Sequence, residues 1–282
     1  MESSEIERLA RLKDLLGGSQ RLDLATHLVC ALDDGKVDTV DEPFAIGIDA
    51  NVLLNMGKGR AGADIVDYLG SRHQGPVIVP SQVLIEFWNN YMGGVEGLGG
   101  KLKKHFSALG DTLKELDPSY SDFSQRAEVL VRDFEERYGH VLQGRVAEEL
   151  RTLFRTLCSS ALFPQVDRPS LMEVAQARRT TRTPPGFKDS EFGDFFVWSE
   201  FLVGLDMARE FQMGFSHCVL VTDDGKSDWS TNGTPHPSLC AEMQAWADVP
   251  FTIWNLDRLK RHVEDWQKVE SHDHEGEVTH DA

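Results

Sequence analysis

The chain has 282 residues and a formal net charge of −17, with 40% hydrophobic and 27% charged residues, the balance of a soluble globular protein. No apolar run reaches the roughly 20 residues of a membrane helix, and the acidic start Met1-Glu2-Ser3-Ser4-Glu5 lacks the basic and apolar regions of a secretory signal. The four cysteines, Cys30, Cys158, Cys218 and Cys240, are too scattered for a disulfide scaffold or a CxxC metal site, so a cytoplasmic protein with reduced thiols is expected. The acidic balance excludes a general phosphate-backbone binder; contact with nucleic acid must use local basic patches.

In chain order, Ser4-Glu5-Ile6-Glu7 fits a capping box, and Ile6, Leu9, Leu12, Leu15 and Leu16 recur at helical spacing until Gly17-Gly18. A second helix over 22–32 completes an N-terminal helical extension, residues 1–40. Phe44 to Ile48 reads as a buried strand, 63–69 as a helix, and Val77-Ile78-Val79 between two prolines as a short strand; Ser81 then caps a helix carrying Glu86. The pattern is almost wholly helical from Lys101 to Ala177, a large central insertion. A basic, proline-containing stretch, Arg178 to Lys188, precedes a helix over 192–205. Cys218 to Thr222 and Val249 to Trp254 give two more strands, and a last helix runs to Trp266. Residues 264–282 read as an acidic, flexible tail. Strands alternating with helices predict an α/β domain over 41–263 with a parallel sheet.

Two predicted strands end in acid: Asp49 follows Ile48, and Asp223-Asp224 follow Thr222. In open parallel sheets ligands bind beyond the carboxyl ends of the strands. Carboxylates gathered there repel one another unless some are protonated or a cation sits among them. With Glu86 and Asp194 they suggest a metal site of hard oxygen ligands, suited to Mg²⁺ or Mn²⁺.

Asp49-Ala50-Asn51 resembles the opening motif of PIN-domain nucleases. Pro80 to Phe87 resembles the helix carrying that family's second acid. Pro184-Pro185-Gly186-Phe187-Lys188-Asp189, Gly193-Asp194-Phe195 and Val221-Thr222-Asp223-Asp224-Gly225-Lys226-Ser227-Asp228-Trp229 resemble a bacterial PIN-like subfamily. The resemblance covers roughly residues 44–95 and 180–260. It implies a Rossmann-like three-layer core and metal-dependent hydrolysis of phosphodiester bonds, RNA being favoured over DNA. Asp49, Asp194 and Asp224, or its neighbour Asp223, are then the expected metal ligands, and Glu86 orients a water. Asn51, Asp189, Thr222 and Asp228 are second-shell or second-metal candidates. Arg178, Arg179, Arg182 and Lys188 are the nucleic-acid-binding candidates, and Trp88, Trp198 and Trp229 are candidates for stacking on bases.

A toxin–antitoxin, RNA-processing or antiviral-defence setting suits such an enzyme, with room for a protein regulator, a defence-complex partner or a second copy of the chain. The alternatives are a non-catalytic PIN-like binding module in a larger complex, and a metal-dependent phosphatase using Asp49 as nucleophile. Asp-x-Asn lacks the second Asp that haloacid-dehalogenase-like phosphatases use as general acid.

Overall fold

Four-residue runs of uninterrupted apolar character, too short for helices and bounded by turns, are suited to strands covered on both faces. A computed structural model describes residues 3–33, 40, 43–56, 60–95, 104–106, 108–109, 111–112 and 121–277. Its strands are β1 (Ala45–Ile48), β2 (Val77–Ile78), β3 (Ala161–Leu162), β4 (Cys218–Val221), β5 (Ser230–Thr231), β6 (Thr234–Pro235) and β7 (Phe251–Trp254). Five form one parallel sheet in the order β3-β2-β1-β4-β7, while β5 and β6 make a separate antiparallel hairpin. All residues of β1, β4 and β7 are buried.

The helices are α1 (Ser3–Leu16), α2 (Leu24–Asp33), α3 (Ala50–Met56), α4 (Arg60–Asp67), α5 (Ser81–Val95), α6 (Ser121–Ser160), α7 (Arg168–Thr181), α8 (Gly193–Glu210), α9 (Pro237–Ala247) and α10 (Leu256–Glu277). The expected α/β parallel-sheet fold is therefore present. Among the described residues, no helix is long and apolar enough to cross a membrane.

Three elements differ from the sequence reading. The central insertion is not wholly helical, because Ala161–Leu162 leaves α6 to become the edge strand of the main sheet. Two residues held by a neighbouring strand carry no periodicity of their own, so the hydrophobic pattern cannot reveal them. Helix α9 was unassigned: Leu239, Ala241, Met243, Trp246 and Ala247 are all buried, leaving little amphipathic contrast. Helix α10 continues past Trp266 to Glu277, into the stretch expected as a tail. Trp266 packs at 5.6 Å from the Tyr68 ring, and an Asp265–Lys268 pair lies one turn on.

Strand order reverses between β1 and β4, because β1, β2 and β3 run to one side and β4 and β7 to the other. The crevice beyond the carboxyl ends at such a switch point is where open α/β sheets take ligands. Register brings the two strand ends together: Ile48 pairs with Val221, and the Asp49 amide donates to the Val221 carbonyl at 3.0 Å. Asp49 and Thr222 thus leave the sheet side by side.

Helix α8 lies against the sheet at two glycines. A Cβ on Gly47 would stand 2.6 Å from the Phe201 ring, and one on Gly204 would stand 2.5 Å from Ile78 Cγ2. This contact sets the height of α8, and with it the position of Asp194 at its first turn. Gly47→Ala must displace a buried ring, so we expect a loss of about 1–3 kcal/mol, read as a lower urea midpoint.

His217, just before β4, is largely buried with Nε2 2.8 Å from Thr252 Oγ1, and burial pushes its pKa down to about 4 from an ordinary 6.5. The unfolded chain therefore binds more protons than the folded one between those values, and stability falls as pH drops from about 6.5 towards 4. His217→Gln should flatten that part of the pH dependence. Urea midpoints across this range measure it, and parallel curves for the two proteins would assign the acid loss to other groups.

Candidate metal and nucleic-acid site

Asp49 stands half-buried between the end of β1 and the start of α3. Its Oδ1 accepts from the Ala50 amide at 2.6 Å, and its Oδ2 from Asn51 Nδ2 at 2.7 Å and Thr222 Oγ1 at 2.6 Å. Asn51 also accepts the Asp223 amide at 3.0 Å, so one side chain ties both strand ends. Burial raises the Asp49 pKa against these hydrogen bonds, and the charge of Asp224 adds to the rise.

Helix α8 starts at Gly193, placing Asp194 in its first turn, where the helix dipole favours an anion. Its Oδ2 accepts from the buried indole of Trp229 at 3.1 Å. Gly186, at φ +83°, lies over it so closely that a Cβ would come within 3.0 Å of Asp194 Cβ, a conformation and an approach suited to glycine. Burial pushes the Asp194 pKa up to about 8, reinforced by its hydrogen bond with Asp189 and the charges of Asp189 and Asp49. Burial opposes ionisation of Asp189 too, but its bonds with Asp194 and Lys226 bring its pKa below the ordinary value. A hydrogen bond joins the two carboxyls, so their titrations are linked.

Glu86 enters from α5. It accepts from Gln82 Nε2 at 2.7 Å and lies against the start of α8, where a Cβ on Gly193 would meet its Oε1 at 2.4 Å. Buried Glu200 of α8 takes the Gln82 amide at 2.6 Å, fixing α5 against α8. Burial, then the charges of Asp49 and Asp189, raise the Glu86 pKa.

After β4 the acid pair divides. Asp223 accepts from the Leu256 amide at 2.9 Å and from Asn55 Nδ2 at 3.2 Å, bracing α10 and α3. Asp224 faces Lys226, whose Nζ lies 2.9 Å from Asp224, 2.7 Å from Asp189 and 3.8 Å from Asp194. Partial burial works against the Lys226 charge, but its hydrogen bonds to Asp189 and Asp224 prevail and hold its pKa above the ordinary lysine range. Lys226 is the central residue that the sequence reading passed over. Its signal was a single lysine inside the acid run Asp223 to Asp228.

Other candidates have different places. Asp228 is fully buried, and its Oδ2 accepts from the amides of Gly186 at 3.1 Å and Lys188 at 3.4 Å. It clamps the loop over Asp194 from inside. Arg178 is a correction. It lies within α7, 4% exposed, and meets Glu242 of α9 through Nη1 at 2.7 Å and Nη2 at 3.2 Å. It also donates to the carbonyls of Leu16 and Pro184, and Trp198 Nε1 donates to Glu242 at 2.7 Å. Nothing of Arg178 is presented to a polyanion, since a cation beside apolar segments is buried when a carboxylate waits there.

Arg179, Arg182 and Lys188 are exposed, with Arg179 on the Ser190 carbonyl at 2.7 Å and Lys188 on Ser227 Oγ at 2.6 Å. Trp198 and Trp229 are buried and cannot stack on a base, whereas Trp88 is 57% exposed.

The donor set is all oxygen and matches a hard divalent cation in kind. Burial raises the pKa of Asp49, Glu86 and Asp194, and neighbouring carboxylates add to the rise. Among the described residues, no group of three His, Cys, Asp or Glu side chains converges as a ready-made metal cage; the cation these acids share is the Lys226 ammonium.

Residues 97–238, half of the chain, match the family model described as a PIN-like domain. The chain belongs to the PIN-like domain family. The matched span contains Asp189, Asp194, Asp224 and Lys226, while Asp49 and Glu86 lie before it and are brought alongside by the sheet. No curated protein and no solved structure matches the chain. PIN-like domains are in general nucleases that bind nucleic acid and typically use divalent metals.

The Arg178–Glu242 pair ties this PIN-like site to α1, α7 and α9. Arg178→Met leaves a buried carboxylate without its cation and should cost about 3–5 kcal/mol. Adding Glu242→Met should recover much of the loss. Thermal and urea unfolding of the two variants check this, and equal destabilisation of single and double variants would contradict it.

Proposed function

We propose that the protein is a metal-dependent endonuclease hydrolysing phosphodiester bonds, with RNA favoured over DNA. The observation that carries the reading is the gathering of Asp49, Glu86, Asp194 and Asp224, from four separate chain segments, at the switch point of a PIN-like sheet. Asp49, Asp194 and Asp224 would hold a Mg²⁺ or Mn²⁺ ion, with Asp223 bracing the loop beside them. Such an ion supplies activation of a water and offsets charge developing on the phosphoryl oxygens.

The chain's own groups do the rest. Thr222 and Asn51 fix the Asp49 carboxylate by two short hydrogen bonds, as outer partners of ligands commonly do. Trp229 fixes Oδ2 of Asp194, and a hydrogen bond joins the Asp194 carboxyl to Asp189. Glu86, its pKa raised by burial and neighbouring charge, is suited to orient the attacking water and receive its proton. Lys226 stays protonated and keeps Asp189 and Asp224 from being driven apart. No side chain need become covalently attached to the phosphate. The bracing of Asp49 by three donors, and the lack of a second Asp in Asp49-Ala50-Asn51, weigh against a phosphatase using Asp49 as nucleophile.

Labelled single-stranded RNA, structured RNA and single-stranded DNA should be incubated with the full chain in Mg²⁺ or Mn²⁺ and in chelator. We expect cation-dependent cutting, faster on RNA, lowered at least about 100-fold by Asp49→Asn or Asp194→Asn. Both variants should retain the wild-type far-UV spectrum. Absence of cutting on every polymer, with no cation-induced rise in Tm, would favour the non-catalytic binding module.

A further inference from the structure

A cavity of about 450 Å³ opens directly beside the carboxylates and shares Asp224 and Thr222 with them. Its far wall is the first two turns of α10, which present Arg258 and Arg261, and its outer rim is the β5–β6 hairpin with Asn232 and Gly233 at the tip. Asn232 and Gly233 both have positive φ, +54° and +83°, the two-residue turn an Asn-Gly pair favours. The rim is therefore a tight hairpin, and its strand pairing positions the tip. Arg258 is 8% exposed, with its guanidinium 5.0 Å over the Trp254 ring, an orientation held by packing. Arg261 is exposed, its Nε 3.4 Å from the Asp257 carbonyl.

On a chain of net charge −17 the long-range field repels a polyanion, so binding depends on local cations. The region before α8 exposes Arg179, Arg182 and Lys188, with Arg179 on the Ser190 carbonyl and Lys188 on Ser227. The cavity adds two guanidiniums, the groups best matched to phosphate, in the same lining as Asp224. Its volume lies within the usual 300–1,000 Å³ of pockets that enclose small ligands, and its wall offers Ser230, Asn232 and Asn255 as polar partners. The neighbouring Asp223 carboxylate is turned to the Leu256 amide and Asn55, which disperses its charge.

We propose that this cavity is a subsite for the nucleotide adjoining the scissile phosphate of a single-stranded nucleic acid, with Arg261 receiving its phosphate, Arg258 adding its charge from the wall, and the hairpin tip enclosing its sugar and base. The subsite rests on the nuclease reading, because a strand positioned at Asp224 must continue into or across this space.

The test uses the full chain carrying Asp49→Asn to suppress cutting, with fluorescein-labelled single-stranded RNA in Mg²⁺. Anisotropy titrations over a range of salt give affinity and its salt dependence, and the Mg²⁺-induced shift in Tm is recorded in parallel on the chain with Asp49 intact. Adding Arg261→Gln should weaken binding about tenfold and reduce the slope of log affinity against log salt by about one. The Mg²⁺ shift should be unchanged, and Arg261→Lys should restore most of the slope. Unaltered affinity and slope in Arg261→Gln, with the parent binding well, overturns the subsite alone. No Mg²⁺ shift in the chain with Asp49 intact, together with no RNA binding by the parent, overturns the nuclease reading and the subsite with it.

Discussion

Repulsion among carboxylates is the constraint on which the site depends. Asp49, Glu86, Asp189, Asp194 and Asp224 come from four segments of the chain; burial first, and then the charge of Asp224 on Asp49, of Asp49 and Asp189 on Glu86, and of Asp189 and Asp49 on Asp194, raises the energy of ionising them. The fold accepts this because donors are built around the acids. The Ala50 amide, Asn51 and Thr222 serve Asp49; Trp229 serves Asp194; Lys226 serves Asp189 and Asp224. Some of these donors, Thr222 and Trp229, are themselves buried, so their geometry is set by the core rather than by the site.

The loop between α7 and α8 shows how far that support extends. It closes over Asp194 at Gly186 because two buried acids hold it from below. Asp228 takes two of its amides, and Glu242 anchors Arg178, which in turn reaches the Pro184 carbonyl. A buried ion pair contributes little net stability compared with an apolar replacement. Its use here is positional: it joins the end of α1, the loop and α9 at one guanidinium. Helices outside the sheet layers thereby become part of the machinery that positions the Asp189–Asp194 pair.

Much of this was legible in the sequence, for identifiable reasons. Strands β1 and β4 are continuous apolar runs and β7 is broken only by Thr252, and Asp49 and Asp223-Asp224 are acids at the ends of the first two, so the sheet and the location of its crevice followed from pattern. What was hidden depends on partners distant in sequence. Arg178 reads like its neighbour Arg179, and only Glu242, 64 residues away, separates a core ion pair from a surface cation. Lys226 was hidden in the acid run around it. Strand β3 exists because β2 pairs with it. The β5–β6 hairpin, by contrast, carried a readable signal: Asn232-Gly233 is a strong two-residue turn pair, passed over because the strands around it are only two residues long.

The distribution of charge connects these observations to function. One lysine among five carboxyl groups leaves an excess of acid in the crevice, and negative charge repels a phosphate backbone. A site of that kind is poorly suited to nucleic acid by itself, and well suited once a divalent cation adds positive charge at its centre. Arg258 and Arg261 lie outside the cluster, across the cavity from Asp224, where they can attract a strand without neutralising the acids that would hold the cation. On the proposed reading, separating the acids that would hold a cation from the arginines that would hold a strand lets an acidic protein bind a polyanion locally. That division follows from topology: the acids lie at the ends of β1 and β4 and the starts of α5 and α8, and the arginines begin the helix after β7, at the next position along the same edge of the sheet.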